Sequence, residues 1–435
     1  MNEPAHESAH ESAREPAREP ARIAAQGRLT GSAPDNAQRL YFLDWLRIGA
    51  VFILVCFHTG LYYGPWEWHL KSEHAGQALE PVLLLTSPWR MSLLFLISGT
   101  ASGLLLSKAT TPGFLRERTL RLLVPLVFGM AVIVPPQTFC EAIERTGYHG
   151  SYGAFMGRYL SADPGFCSGG SCLALPAWNH LWFVAYLWVY TLALSIMVAA
   201  AGRERLARAG PWLAGVLAGW RAVVLPAAAI AVARLSLFPR FGDTHALFDD
   251  WYNHAVYFPI FMAGTLVADQ HRFWREASRL RFVALALALG GWAVLVCLHA
   301  ASGESPDDRH MALAMACARS MCQWCAILAL CGFAYRHLNI DTPGRRYLAG
   351  SVFCIYIVHQ TLIIVLAMAL KPLHIAPFTE GAVIIVLTFV GSFATYEAVR
   401  RVAALQPFFG IGPPRAAMAP ARHGAAPRVA GGFIE

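Results

Sequence analysis

The sequence predicts an all-α, polytopic integral membrane protein: a helical bundle of about ten transmembrane helices with both termini cytoplasmic. Three observations carry that prediction. First, 56% of the 435 residues are hydrophobic and only 14% are charged, against roughly 25% charged in an ordinary soluble domain, and mean hydropathy is +0.44. So much apolar surface cannot be hidden from water inside one globule. Second, the apolar residues come in solid blocks of about twenty, the length of a helix that crosses a bilayer core, and not as the alternating strands of a β-barrel. Third, the 35 Lys and Arg residues gather in short clusters on alternate loops between the blocks, which is how membrane proteins record their orientation.

Residues 1–38 contain His-Glu-Ser-Ala twice and Arg-Glu-Pro-Ala twice, with few large apolar side chains. Such a segment buries too little to offset its ordering entropy, which predicts a disordered cytoplasmic tail. It also lacks the apolar core and cleavage site of a signal peptide, so the first apolar block is expected to be an uncleaved anchor. A transmembrane domain is expected over 39–402 and a cytoplasmic C-terminal tail over 403–435. Within the domain, spans are expected at about 42–62, 83–107, 120–138, 179–201, 217–236, 251–269, 281–299, 311–333, 347–370 and 380–401. The fifth contains Pro226, which membrane helices tolerate. With the N-terminus inside, 25 of the 35 basic residues fall on inner segments and seven on outer ones, leaving Arg47, Arg90 and Arg319 within spans. Every inner segment outweighs its outer neighbours, a pattern that one missed or invented span would spoil. The same distribution excludes nucleic acid as the partner of the net charge of +8, because no single face of a soluble domain carries it.

Two outer loops are long, 63–82 and 139–178. The first is rich in aromatic and polar residues: Tyr62, Tyr63, Trp66, Trp68, His69, Lys71 and His74. Those residues suit an interfacial aromatic belt, or a stacking platform for a sugar or another polar acceptor. Most of the ten cysteines lie inside apolar blocks, where a thiol behaves as a small hydrophobe. Cys322 and Cys325 have CxxC spacing but no second pair to complete a metal site. Cys167 and Cys172 flank Ser-Gly-Gly-Ser in the second loop and are placed for a small disulfide if that loop faces an oxidising compartment.

Ionisable residues inside spans are costly and mark functional sites by default. The first span carries Asp44, Arg47 and His58. Arg47 and His58 are eleven residues apart, three turns plus about 20°, so they project from one helix face about 16.5 Å apart along the axis. They cannot touch, but they can hold two parts of one long ligand. Asp44 and Arg47, at i and i+3, are also spaced to neutralise one another. Asp44 is too far along the helix to orient His58, so any partner of His58 must come from another span. Arg116, Arg118 and Arg121 form a second cluster at the inner start of the third span. Arg118 and Arg121 share a face, and their guanidinium forks suit phosphate. As a bare topology signal, the same cluster would anchor the helix to anionic lipid. Arg90, His180, His254, Arg319 and His359 are further polar residues inside apolar blocks.

Taken in order, Tyr41-Phe-Leu-Asp44-Trp-Leu-Arg47, His58, Leu94-Phe95-Leu96-Ile97-Ser98-Gly99, Arg118-x-x-Arg121-Leu-x-x-Pro125 and His180-Leu-Trp-Phe resemble the acyltransferase-3 family over about residues 39–402. Within that family the chain looks most like the glucan biosynthesis protein C branch, which succinylates periplasmic glucans. The resemblance implies a ten-span O-acyltransferase of the bacterial-type inner (plasma) membrane, with His58 as catalytic histidine and Arg47 as its companion. It implies Arg118 and Arg121 in the acyl-donor site, with Arg116 beside them. Two positions depart from the family pattern. Glu117 interrupts what is often a tandem basic pair, which bears on donor affinity, and Thr100 follows Ser98-Gly99 where an aromatic is common, a matter of packing.

These features predict transfer of an acetyl- or succinyl-class acyl group from cytoplasmic acyl-CoA to a hydroxyl of an extracytoplasmic glycan or related acceptor. His58 takes the hydroxyl proton, and Arg90 or Arg319 steadies the oxyanion. Asp44, His180 and His359 are expected to support the site. Acyl-CoA is a co-substrate. A thioester is already activated, so no metal or other bound cofactor is expected. The expected partners are acyl-CoA, the acceptor and the lipid bilayer. The rivals are a secondary transporter, against which no inverted repeat is visible, and a non-catalytic membrane sensor.

Overall fold

A computed structural model describes residues 40–168, 171–302 and 308–411. The tail expected at 1–38 lies outside the described residues, as does the expected C-terminal tail from residue 412 onward. Chain contacts separate residues 1–40 from 41–435, and the fold below is that of the second unit.

The described chain is helical apart from loops and one two-stranded ribbon. Its α-helices are α1 (Tyr41–Tyr63), α2 (Glu80–Thr86), α3 (Arg90–Leu106), α4 (Thr111–Phe128), α5 (Pro135–Thr146), α6 (Tyr152–Leu160) and α7 (Trp182–Ala201). They continue with α8 (Arg203–Val216), α9 (Arg221–Phe241), α10 (Trp251–Leu266), α11 (His271–Ser302), α12 (Arg309–His337), α13 (Pro343–Leu370) and α14 (Pro377–Arg401). Helix starts carry their sequence signals. Thr110 caps α4, its side chain accepting from the Gly113 N–H at 3.2 Å. Thr342 caps α13, accepting from the Arg345 N–H at 3.1 Å, with Pro343 in the first turn.

Eight helical segments among the described residues are long and apolar enough to cross a membrane. A ninth span is made if Thr111–Ile133 and Pro135–Thr146 are taken together across their 41° bend. The bend falls where a π-helical turn, Gly129–Ile133, runs into Pro135-Pro136, because proline breaks the backbone ladder. The count of ten is therefore not met by straight helices. The sixth expected span, 251–269, is α10, whose 16 residues reach about 24 Å at 1.5 Å each, short of the roughly 30 Å hydrocarbon core. Its start is fixed by Asp250, fully buried, which accepts from the Tyr186 hydroxyl at 2.6 Å, Asn253 Nδ2 at 2.7 Å and the His245 N–H at 3.0 Å.

Helices α11 and α12 form the most extensive pair, followed by α3 with α10 and α13 with α14; α1 packs on α12, α13 and α14. The contact between α3 and α10 explains the Ser98-Gly99 motif. A Cβ on Gly99 would run into the carbonyl of Phe261, and one on Gly264 into that of Leu96. Only glycine lets the two backbones approach so closely. Thr265 Oγ1 donates to the Gly99 carbonyl across this seam at 3.1 Å. Thr100 is fully buried and donates to the Leu96 carbonyl at 2.9 Å.

Loop 64–79 docks onto the C-terminal end of α1. Lys71 Nζ donates to the carbonyls of Leu61 at 2.8 Å and Gly64 at 2.6 Å. The N–H groups of Ser72 and Gly76 take those of Tyr62 and Tyr63. A cation on a helix C-terminus satisfies orphan carbonyls and the dipole together. Burial in this niche lowers the Lys71 pKa, with Glu67 opposing. Cys167 and Cys172 are joined in a disulfide across the ribbon of 167–168 and 171–172. Residues 403–411, assigned from sequence to the tail, turn back onto the bundle: the rings of Phe408 and Phe409 lie 5.0 and 5.4 Å from that of Phe128.

Candidate active site

A cavity of about 890 Å³ opens among α1, α3, α5, α7, α10, α12 and α13, toward the end of the bundle that carries the two long loops. Its lining includes His58, Arg90, His180 and Arg319, with Trp66, Trp68 and His69 from loop 64–79. The two tryptophans thus face the cavity and do not ring the bundle as a belt. His58 lies about 7.5 Å from the end of α1 at 1.5 Å per residue. Its ring sits 5.3 Å from that of His359 and 6.2 Å from that of Trp68, centroid to centroid. His359 of α13 is therefore the neighbour that the first helix could not supply. His359 Nδ1 lies 2.7 Å from the Tyr356 carbonyl, and since a carbonyl only accepts, Nδ1 carries the proton and Nε2 is left basic. Buried His359 Nε2 and buried His58 Nδ1 have no hydrogen-bond partner among the described residues. Two imidazoles in contact, each with an uncommitted ring nitrogen, can accept and pass on a proton.

His180 is a different histidine. Its Nε2 lies 2.9 Å from the Ile357 carbonyl, its Nδ1 faces Gln137 Nε2 at 3.5 Å, and its own carbonyl accepts from the Tyr356 hydroxyl at 2.5 Å. With both nitrogens engaged, it pins the start of α7 to α13. His254 is likewise committed, to the Tyr190 hydroxyl at 2.9 Å and the Leu247 carbonyl at 2.6 Å. Arg90 is 4% exposed, stacks 3.6 Å over the Phe57 ring and reaches Thr86 Oγ1 at 3.4 Å, while its buried Nε is unpartnered among the described residues.

A second polar chain, not foreseen from the sequence, crosses the same cavity. Glu141 on α5 lies 2.6 Å from His69 Nδ1 and 3.2 Å from Arg145 Nε. Arg145 donates to the Trp68 carbonyl at 2.8 Å. His69 Nε2 meets Gln360 Nε2 at 3.0 Å, and Gln360 donates to Gln137 Oε1 at 3.1 Å. Glu141 fixes the tautomer of His69, and the chain ties loop 64–79 to α5 and α13. The bend before α5 is what brings Gln137 and Glu141 to the cavity. The one sequence signal was Glu141 and Arg145 at i and i+4.

The other candidate arginines, Arg116 excepted, gather at the opposite end of α1. Asp44 forms an ion pair with Arg345 and reaches Arg47 only at 3.5 Å. Its main partner is therefore a residue about three hundred positions away, not the i+3 neighbour. Arg47 donates to the Ala349 carbonyl at 3.0 Å, Arg118 to Ser102 Oγ at 3.1 Å and Arg121 to the Gly410 carbonyl at 3.3 Å. Arg47 lies within electrostatic reach of Arg121 and Arg345, and Arg118 of Arg121 and Arg47. Buried Nε groups of Arg47 and Arg118 have no partner among the described residues. Like charges with unfilled donors are costly when buried and favour a bound anion. Arg116 is exposed and stands about 200° around α4 from Arg118, apart from this cluster.

The family model described as an acyltransferase domain matches residues 40–397. Glucans biosynthesis protein C of Salmonella paratyphi A (strain ATCC 9150 / SARB42) is 24% identical over 408 residues, covering 87% of this chain and 96% of the relative. The protein of that name from Escherichia coli O139:H28 (strain E24377A / ETEC) is 25% identical over 392 residues, covering 86% and 95%. No solved structure matches. An acyltransferase replaces the transporter and sensor alternatives. The match, spanning nearly all the described helices and both side-chain clusters, establishes that the chain belongs to the acyltransferase-3 family and is a multi-pass membrane acyltransferase with bacterial relatives.

Proposed function

We propose that this protein moves an acetyl- or succinyl-class acyl group from cytoplasmic acyl-CoA to a hydroxyl of an extracytoplasmic carbohydrate, in the inner (plasma) membrane of a bacterium. The observation that carries the proposal is the division of α1. His58 stands in an aromatic-lined cavity at one end, and Arg47 stands in an arginine cluster at the other. The positive-inside bias supports a cytoplasmic arginine end and cytoplasmic termini. Relatives named for glucan biosynthesis favour a carbohydrate acceptor, and Trp66 and Trp68 offer ring faces to a sugar.

In this scheme Arg118 and Arg121 bind the phosphates of acyl-CoA by charge-assisted hydrogen bonds, with Arg47 beyond them on the way to the cavity. The thioester reaches His58 along α1. His58 removes the proton as the acceptor oxygen attacks the thioester carbonyl. Arg90 and Arg319 face the oxyanion that forms. Collapse breaks the carbon–sulfur bond, and the leaving thiolate takes the proton from His58, giving an O-ester and free CoA. The thioester supplies the driving force, so the scheme needs no metal or redox group.

The test is transfer by purified protein in nanodiscs supplied with labelled succinyl- or acetyl-CoA and a glucan oligosaccharide. The expected result is label in the oligosaccharide as a base-labile ester, with one CoA thiol released per ester. Folded protein that binds acyl-CoA yet acylates no hydroxyl acceptor would refute the proposal.

A further inference from the structure

Phe57 separates two cavities. It lines the cavity that holds His58, and it also lines a second of about 620 Å³ between α1, α2 and α14. Among the described residues it is the one side chain shared by both linings. The second cavity is walled mostly by apolar and small residues, including Ile53, Gly60, Leu83, Gly381 and Ala382, with His74 on its loop side. At its rim, Val82 is 59% and Phe378 90% exposed, so it faces the hydrocarbon side of the bundle. The partition is braced. The Arg90 guanidinium caps the Phe57 ring at 3.6 Å, and the Trp66 ring packs 6.3 Å from it. Thr86, which holds Arg90, is itself part of the second lining.

We propose that Phe57 sets the length of the acyl group this enzyme transfers, by closing the apolar cavity off from the reacting carbon at His58. This rests on the acyl-CoA reading above. A thioester carbonyl placed at His58 sends a hydrocarbon acyl tail away from the polar chain of His69, Glu141 and Gln360. The adjacent apolar direction runs to Phe57, whose ring lies 5.8 Å from that of His58. A short acyl group ends before the ring, and a longer one collides with it. Removing the ring joins the two spaces and gives additional methylenes an apolar lining, which favours their burial.

The experiment measures thiol release from acetyl-, butyryl- and octanoyl-CoA, with a glucan oligosaccharide as acceptor, by the full chain in nanodiscs of phosphatidylethanolamine and phosphatidylglycerol. Phe57→Ala should raise the octanoyl-to-acetyl rate ratio roughly tenfold or more, the scale on which pocket methylenes discriminate. Adding Ala382→Trp, which refills the outer cavity from α14, should bring the ratio back. The ratio is the readout because loss of the Arg90 contact lowers all chain lengths alike. Wild type using octanoyl-CoA as well as acetyl-CoA, or an unchanged ratio in Phe57→Ala, overturns the proposal. A wild type inactive on every acyl-CoA counts against the donor reading instead. The partition is then decided by octanoyl-CoA with a terminal diazirine, which should photolabel the wall around Gly60, Leu83 and Gly381 in Phe57→Ala only. Identical labelling of wild type and variant overturns it.

Discussion

The two ends of the bundle treat ionisable side chains in opposite ways. At the cavity end, histidines are held by neutral or single-carboxylate partners: His359 by a carbonyl, His180 by a carbonyl and an amide, His69 by Glu141 and Gln360. Among the buried histidine ring nitrogens of the described residues, His58 Nδ1 and His359 Nε2 are left over. At the other end, Arg47, Arg118, Arg121 and Arg345 crowd together, countered by Asp44 and by Asp341. Hydrogen bonds from Arg346 and then Arg345 hold Asp341 well below the usual carboxylate range, so it stays charged. In the proposed scheme one end orients bases and moves a proton, and the other receives an anion. The proposed reaction, joining a charged donor to a neutral hydroxyl, would use both, and α1 links them.

Substitutions at the two ends should therefore fail differently. The largest effect belongs to His58→Ala, with turnover per folded molecule falling about 10²–10⁴-fold while acyl-CoA affinity holds. Size exclusion must confirm folding, and wild-type turnover would reduce His58 to a packing histidine. Next come Arg118→Gln and Arg121→Gln, each removing about 1.5–3 kcal/mol of charged hydrogen bonding to the donor. Isothermal titration with acyl-CoA should show weaker binding, with the gap to wild type narrowing at high salt. Unchanged affinity in the double variant would leave the cluster as a topology signal. The smallest effect is expected at Glu141→Gln, which keeps an acceptor for His69 but removes its charge. About 1 kcal/mol, or roughly fivefold, should appear in the KM for acceptor with donor affinity unmoved; a matching fall in donor affinity would erase the contrast between the ends.

Legibility also differs between the ends. The arginine end is written in short-range spacing: Asp44 and Arg47 share a turn and Arg118 and Arg121 a face, whereas Arg345, the stronger partner of Asp44, and Gly410, the acceptor for Arg121, lie too far along the chain for spacing to reveal. The cavity is assembled from distant segments. His58 and His359 are about three hundred residues apart, and no helical period relates them. Glu141 and His69 lay in stretches taken as outer loops, where polar residues look solvated, and the π-helical turn that carries Glu141 inward has no periodic signature. The helical bundle itself was plain from apolar blocks and basic loops. Block length misjudged α10, because its apolar run continues past Leu266 into the turn at Val267 and Ala268.

The central claim is that the two ends face opposite sides of the membrane, so that donor and acceptor meet across α1. Sandwich reporters inserted into the full chain after residue 206, beside the arginine end, and after residue 160, beside the cavity mouth, test it most directly. The expected result is a cytoplasmic signal at 206 and an extracytoplasmic signal at 160. Cytoplasmic signals at both positions would contradict the account, since donor and acceptor would then approach from one side and the charge asymmetry would have misassigned the bundle.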